Sequence, residues 1–186
     1  MSKMRTWESD YRLPQTTLPL HYDLYLFPNL EDDTFSGHVA ITVETKEPRN
    51  HFLVHVKYLD VRDTQLKAAN GDIIPLEDAF EYAPNEFWVV VPANGPVPTG
   101  VYTLSMKFQG RLDRDILGFY RSTYVDDEGK PHKIATSKFQ PTYARRVINF
   151  CRSFFRWTEN FLSYGTIRFG GRKCGLLIFI DRELIE

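Results

Sequence analysis

The sequence predicts an all-β fold, an antiparallel saddle-like β-sandwich, and three observations support this prediction. Apolar side chains alternate with polar ones along several short segments, which is the two-residue period of a half-buried strand. Turn-forming residues separate these segments at intervals of roughly ten residues, the spacing of short strands joined by hairpins. No segment of convincing helical length occurs before Ala144. Residues 1–146 are therefore predicted to form one β-domain.

Three strands are predicted in the first 60 residues. The dipeptide Pro28-Asn29 ends the first of them, because proline and asparagine favour turns. The apolar positions that alternate are Tyr22, Leu24 and Leu26 in the first strand, Val39, Ile41 and Val43 in the second, and Phe52, Val54 and Val56 in the third. Each set would face a common core.

Further strands are predicted between residues 61 and 139. Asn70-Gly71 is a strong hairpin signal, because both residues tolerate a positive φ. Residues 87–91 are continuously apolar and β-branched, which is typical of a strand buried on both faces. Tyr102, Leu104, Met106 and Phe108 alternate with polar residues, and residues 126–130 are predicted to form a hairpin tip.

The tail, residues 147–186, has a different pattern. Apolar residues recur at steps of three and four between Val147 and Leu162, as on one face of a helix, and Gly165 suits the end of that helix. Residues 176–180 are predicted to form one more strand. The sequence therefore predicts a second region, a short helix-plus-strand tail, with its boundary at Arg146.

Composition excludes several classes of protein. Hydrophobic residues make up 42% of the chain and aromatic residues 15%, which is enough for a buried core and argues against disorder. The formal net charge is −1 and the basic residues are scattered, so nucleic acid is not an expected partner. No apolar run is long enough to span a bilayer or to act as a signal peptide.

Cysteine use and glycosylation signals bear on the compartment. Cys151 and Cys174 are the two cysteines, and without a disulfide framework around them free thiols are the favoured state. The Asn-x-Ser/Thr pattern of glycosylation is absent. Together with the missing signal and anchor, this predicts a cytoplasmic location.

His51 and His55 are the one pair of histidines spaced four apart, so they must be considered as zinc ligands. A hydrolytic zinc helix needs glutamate directly after the first histidine as general base, and Phe52 stands there. The segment also alternates like a strand, on which residues four apart are separated by about 13 Å. Two histidines on a sheet face are therefore predicted, and the chain is expected to contain no metal ligand.

No other pattern of residues indicates catalysis. There is no Gly-x-Ser-x-Gly nucleophile turn and no glycine loop of the phosphate-binding type. The acidic residues Asp32, Asp33, Asp113 and Asp115 stand beside turn signals, so we expect solvated loop charges there. The sequence predicts no catalytic residue.

Several short motifs, taken in series, carry a resemblance. They are Arg12-Leu13-Pro14, Pro19-Leu20-His21-Tyr22-Asp23-Leu24, Pro28-Asn29-Leu30, Phe35-Ser36-Gly37, Gly118-Phe119-Tyr120-Arg121-Ser122, and the stretch from Ala135-Thr136 to Ala144-Arg145. In order and spacing, they resemble the amino-terminal β-domain of the aminopeptidase N and glutamyl aminopeptidase family of zinc metalloaminopeptidases. The resemblance covers about four-fifths of the chain and ends near Arg146.

The resemblance implies a substrate-binding role for two residues. In the family, the segment similar to residues 137–142 usually reads Thr-Gln-Phe-Glu-Pro-Thr, and its Gln and Glu line the wall where the amino end of a peptide docks. An ammonium group prefers such amide and carboxylate oxygens. Here Lys138 stands in the place of Gln and Gln140 in the place of Glu, so the implied site is altered.

The resemblance also implies what this chain lacks. The Gly-x-Met-Glu-Asn loop and the His-Glu-x-x-His zinc helix of the family are absent, so zinc would be bound by a domain that is missing here. The first hypothesis is therefore a non-catalytic amino-terminal fragment, truncated before the catalytic domain, with no cofactor of its own. A frameshift, a retained intron or an alternative exon would explain the divergent tail.

Two alternatives remain. In one, the chain is a module that binds peptides or pairs with a full-length aminopeptidase. In the other, the sequence is an incomplete gene model of an active aminopeptidase, and transcript sequencing across residues 145–151 would decide. A full-length parent would be membrane-anchored or extracellular, as the resemblance implies, rather than cytoplasmic.

Overall fold

The computed structural model describes residues 6–9, 12–138, 143–146, 165–169 and 176–178. Within these ranges it contains one α-helix, α1 (Thr6–Ser9), two short 3-10 helices (Ala83–Asn85 and Tyr143–Arg146) and twelve strands. The strands are β1 (Thr17–Asn29), β2 (Thr34–Thr45), β3 (Phe52–His55), β4 (Asp60–Ala68), β5 (Ile73–Ile74), β6 (Leu76–Tyr82), β7 (Phe87–Pro92), β8 (Gly100–Arg111), β9 (Gly118–Val125), β10 (Pro131–Lys138), β11 (Gly165–Phe169) and β12 (Leu176–Ile178).

The strands form three sheets. The largest has the order β11-β1-β2-β8-β4-β5, and the two others have the orders β12-β10-β9 and β3-β7-β6. Pairing is antiparallel, except that β11 runs parallel to β1 and β12 runs parallel to β10. The prediction of an all-β, antiparallel fold is therefore confirmed.

The core lies between the inner face of the largest sheet and the sheet β3-β7-β6. The alternating residues of β1, β2 and β8 enter it as predicted, because every second side chain of a strand points to the same face. The buried residues on these three strands are Tyr22, Leu24, Leu26, Phe35, Val39, Ile41, Val43, Tyr102, Leu104, Met106 and Phe108.

The sheet β3-β7-β6 is buried on both faces at its centre. Val90 packs with the main core, whereas its neighbour Val89 joins a second cluster that includes Trp7 and Phe87. Trp7 lies on α1. The Asn85 side-chain amide donates a hydrogen bond to the Trp7 carbonyl oxygen at 2.8 Å and so fixes α1 in place. This arrangement confirms the prediction of a strand with two buried faces in residues 87–91.

Both predicted hairpins are present. Asn70-Gly71 lies in the turn between β4 and β5, and residues 126–130 join β9 to β10. Gly71 and Gly129 have φ of 92° and 80°, values that glycine adopts without strain. The strand β6 was not predicted, since it carries several exposed acidic residues and lacks a clear alternation.

The described parts of the tail differ from the prediction at Gly165 and agree with it at the last strand. Gly165, expected to end a helix, instead begins β11, which pairs with the core strand β1. The predicted strand at residues 176–180 is represented by β12. The predicted helix over residues 147–164 lies outside the described residues, as do Cys151 and Cys174. In the described part of the chain, no helix has the length and apolar character needed to cross a membrane.

Candidate binding surface around the Arg145 turn

Lys138 is the last residue of β10, and its side chain is exposed. It pairs across the ladder with Gly118, the first residue of β9. Gln140, the second residue of the implied substrate wall, lies outside the described residues. The next described element is a short 3-10 turn, Tyr143–Arg146, which we call the Arg145 turn.

Arg145 fixes this turn to two distant parts of the chain. The amide of Lys57 donates a hydrogen bond to the Arg145 carbonyl at 3.0 Å, and the Arg145 guanidinium donates to Glu86 Oε2 at 2.7 Å. Lys57 Nζ also donates to Glu86, through Oε1. Burial opposes ionisation of Glu86, but the two cations outweigh it and hold its pKa below the usual value.

Arg146 fixes the turn at a third point. Its Nη1 donates to both carboxylate oxygens of Asp115, at 2.8 and 2.5 Å, and its side chain is only 12% exposed. The guanidinium also lies near the rings of Tyr58 and Tyr143, about 5 Å from each centroid. Charge-assisted hydrogen bonds and cation–π contacts of this kind are stronger when water is partly excluded.

Gly118 makes the close approach of this turn possible. Its φ is 82°, and a Cβ built on it would lie 2.8 Å from Arg146 Cβ and 3.3 Å from the Tyr143 carbonyl oxygen. A side chain at this position would therefore push the Arg145 turn away from β9. The start of β9, beside Lys138, is thus in direct contact with the turn.

Tyr58 is the centre of this surface. It adopts a positive φ of 60°, which is uncommon for a tyrosine, and 47% of the residue is exposed. Three cations lie over its ring: Arg114 at 4.0 Å from the centroid, Arg146 at 5.1 Å and Lys57 Nζ at 5.2 Å. An exposed aromatic ring surrounded by cations suits ligands that are both apolar and anionic.

The expectation of solvated loop charges was wrong for part of the acidic set. Asp33 accepts from Lys133 Nζ at 3.0 Å and lies 3.3 Å from an Arg121 guanidinium nitrogen, and Asp115 holds Arg146. Asp113 pairs with Arg111, which lowers the pKa of its carboxyl. The sequence could not show the pairs of Asp33 and Asp115, because Lys133 is 100 residues from Asp33 and Arg146 is 31 residues from Asp115.

His51 and His55, the pair that the sequence analysis considered and rejected as zinc ligands, are buried beside aromatic rings. His51 packs edge-on against Trp7, with 4.8 Å between ring centroids, and His55 lies 4.9 Å from Phe87. Burial lowers the pKa of both to about 4. Across the described ranges, no group of three or more His, Cys, Asp or Glu is placed to hold a metal ion.

The fold and the surface together define a class of protein: an antiparallel β-domain with a cationic, aromatic surface at the end of its last long hairpin. Comparison with known families agrees with that class. Residues 18–151 match the family described as the peptidase M1 N-terminal domain, and the chain belongs to this family.

Curated relatives point in the same direction. The chain is 35% identical over 144 residues to glutamyl aminopeptidase of Homo sapiens and 37% identical over 143 residues to that of Sus scrofa. It is 30% identical over 142 residues to endoplasmic reticulum aminopeptidase 1 of Rattus norvegicus. These matches cover 74 to 75% of the chain but only 15% of each relative. The chain thus spans a small part of their length.

Proposed function

We propose that this chain is a non-catalytic β-domain of the metalloaminopeptidase type, whose role is to bind the amino end of a peptide beside the end of β10. One observation carries the proposal. The segment between Lys138 and Tyr143 begins at a ladder-paired residue and ends at a turn fixed through Arg145 and Arg146. The described residues at the two ends of this segment, Lys138 and Tyr143, are therefore held on the domain.

The residues at this wall favour weak binding. An ammonium group about 4 Å from the Lys138 ammonium would be repelled by roughly 4 kcal/mol at an effective dielectric of about 20. Lys138 is exposed, so salt and water reduce this repulsion. Gln140 offers an amide oxygen as acceptor but no compensating charge. With these two residues, the proposed site is expected to bind amino ends less tightly than it would with the Gln and Glu of the family pattern.

The absence of catalysis by this chain is also part of the proposal. The sequence contains no His-Glu-x-x-His segment, the pattern that supplies two zinc ligands and a general base in this type of peptidase. In this proposal the chain itself uses no cofactor, and any zinc belongs to a partner or to a domain outside this sequence. The cytoplasmic location predicted from the sequence remains a proposal as well.

The sharpest test of peptide binding is to restore the family's residue pair at positions 138 and 140. The double variant Lys138→Gln/Gln140→Glu recreates the family pair and replaces a repulsive charge with an attractive one. We expect it to bind a short peptide with a free amino end at least about tenfold more tightly than the natural chain, as measured by calorimetric titration. The same peptide with an acetylated amino end should bind the double variant no more tightly than it binds the natural chain.

The control variant is Lys130→Gln, which removes one positive charge at the β9–β10 hairpin tip. It should leave the affinity for both peptides unchanged. If the double variant binds the free and the acetylated peptide equally, the proposed role of this wall is wrong. A zinc-dependent release of amino acids from small amide substrates by the purified chain would contradict the non-catalytic part.

A partner-binding role is a second candidate, in which the chain pairs with a full-length aminopeptidase. Ile116 supports it, because this residue is 66% exposed and directly follows Asp115, which fixes the Arg145 turn. An exposed branched apolar residue beside a fixed turn suits a contact surface. Co-purification with a full-length relative, lost in the variant Ile116→Lys, would support this role, whereas co-purification that is unaffected by this variant would count against it.

A further inference from the structure

A groove runs across one end of the largest sheet, and we call it the strand-end groove. It encloses about 550 Å³ and lies between the end of β1, the start of β2, the start of β4 and the end of β8. Phe27 and Tyr58 form its aromatic walls, and both are more than 40% exposed. Its size is in the range of ligand-binding clefts.

Arg114 gives the groove a polar group suited to recognition. Its guanidinium lies 4.0 Å from the Tyr58 ring centroid and lines the groove. Among the described residues it forms no ion pair with Asp or Glu, whereas the neighbouring Arg62 and Arg111 each pair with a carboxylate. A guanidinium that rests on an aromatic ring keeps its in-plane N–H donors available for a planar anion.

The charges around Tyr58 also favour an anion. Three cations, Lys57, Arg114 and Arg146, lie 4.0 to 5.2 Å from its ring centroid. Glu86 pairs with Lys57, Asp115 with Arg146, and the groove residue Asp60 with Arg62, so of the three cations Arg114 is the one whose positive charge no carboxylate among the described residues balances. A potential of this sign attracts anionic ligands and fixes their orientation.

The shape of the groove favours an internal segment of a chain over a chain end. The groove continues into a second depression of about 320 Å³ on the outer face of the largest sheet. The two share Phe27, Ser36, Asp60 and Gln109 in their walls. A ligand that enters at Arg114 can therefore continue past Phe27, rather than ending in a closed pocket.

We propose that the strand-end groove binds an extended peptide segment through an acidic side chain, Asp or Glu. The Arg114 guanidinium donates two parallel hydrogen bonds to the carboxylate. Phe27 and Tyr58 contact the apolar residues on either side of the acidic residue. One guanidinium without a carboxylate partner matches a single negative charge, whereas a phosphate group carries nearly two and needs more donors. Lys138, the described residue of the amino-end wall, is not among the residues that line this groove.

The experiment is an NMR titration of the full chain with blocked peptides. The first has a central glutamate between two phenylalanines, is acetylated at its amino end and amidated at its carboxyl end. The second replaces the glutamate with glutamine. The blocked ends remove the ammonium, so a negative result at the amino-end wall would not affect this test. We expect the glutamate peptide to bind at least about tenfold more tightly and to shift the signals of Phe27 and Tyr58.

Substitutions at Arg114 assign the contact. Arg114→Gln should reduce the affinity for the glutamate peptide to that of the glutamine peptide. Arg114→Lys keeps the positive charge but cannot donate two parallel hydrogen bonds to one carboxylate, so it should give an intermediate affinity. Lys130→Gln, which removes a charge elsewhere on the surface, should have no effect. Since Arg114 is exposed in a loop, thermal unfolding should confirm that its variants remain folded.

Several outcomes would overturn the proposal. These are equal affinity for the two peptides, unchanged binding to Arg114→Gln, or no saturation at millimolar peptide. Tighter binding of a phosphoserine peptide would assign the groove to phosphate. Equal binding of a peptide whose sole carboxylate is its free carboxyl end would assign it to chain ends instead of internal segments.

Discussion

Arg146 donates to both carboxylate oxygens of Asp115, at 2.8 and 2.5 Å, and so joins the Arg145 turn to the loop before β9. The arginine side chain is 12% exposed and the aspartate side chain 37%. The pair is therefore intermediate between a buried ion pair, which is costly to break, and a surface pair, which contributes little.

The first prediction concerns this pair. The variant Arg146→Ala should lower the free energy of unfolding by about 1–2 kcal/mol, because it removes the hydrogen bonds to Asp115 and the contacts with two tyrosine rings. Urea unfolding of the full chain would measure the change. Arg62→Ala is the matched control, since Arg62 and its partner Asp60 are both more than half exposed, and we expect no measurable change in the free energy of unfolding. Equal losses in the two variants would contradict the assigned importance of Arg146.

The second prediction compares two glycines with nearly the same φ, 82° for Gly118 and 80° for Gly129. Alanine at either position adds the strain of a left-handed backbone, about 1–2 kcal/mol. Only at Gly118 would the new Cβ also collide, at 2.8 Å, with Arg146 Cβ, while nothing lies within 4 Å of it at Gly129. Gly118→Ala should therefore destabilise the chain by at least about 1 kcal/mol more than Gly129→Ala in chemical denaturation. A smaller difference would mean that the Arg145 turn moves away easily.

Sequence reasoning predicted the strands best where burial imposes a period of two. In β1, β2 and β8 every second residue must enter the core, so the pattern Tyr22, Leu24, Leu26 identifies both the strand and its buried face. The strand β6 was not predicted because it is an edge strand rich in exposed Glu and Asp, and its apolar residues, which pack against both clusters, are only partly buried.

The candidate binding surface could be predicted only in part. The resemblance implies a substrate-binding role for Lys138 from an ordered series of motifs, and that role stays a prediction. The groups that fix the neighbouring turn could not be found in this way, since Glu86 and Asp115 meet Arg145 and Arg146 only after the sheets assemble. The burial of His51 depends likewise on Trp7, which lies on α1 and packs against the sheet β3-β7-β6.

A third prediction concerns Phe35, which links β2 to β9 through the core. Its ring is 5.3 Å from that of Phe119 and 6.4 Å from that of Phe108, and it is 2% exposed. Phe35→Ala should cost about 3–5 kcal/mol of unfolding free energy, because it leaves a cavity that the close backbone of Gly110 cannot fill. Phe27→Ala, at a residue that is 41% exposed, should cost less than about 1 kcal/mol. Similar costs for the two would show that the core between β2 and β9 is loosely packed.

The final prediction is a loss of stability in mild acid. Burial lowers the pKa of His51 and His55 from the ordinary 6.5 to about 4, with Arg49 and Arg145 respectively adding to the shift. Between pH 6.5 and 4 the unfolded chain therefore binds more protons at these residues than the folded chain. Stability must then rise with pH across this window and fall as pH drops.

The size of this effect can be measured. A shift of that size corresponds to roughly 3 kcal/mol for each histidine once the pH falls through the whole window. Urea midpoints measured at pH 7 and at about pH 4.5 should differ strongly in the natural chain and much less in the double variant His51→Gln/His55→Gln. Glu86 acts in the same direction but at lower pH, because its two cationic partners hold its carboxyl pKa below the usual range. A natural chain whose midpoint is constant between these two pH values would show that the two imidazoles gain protons without leaving the fold.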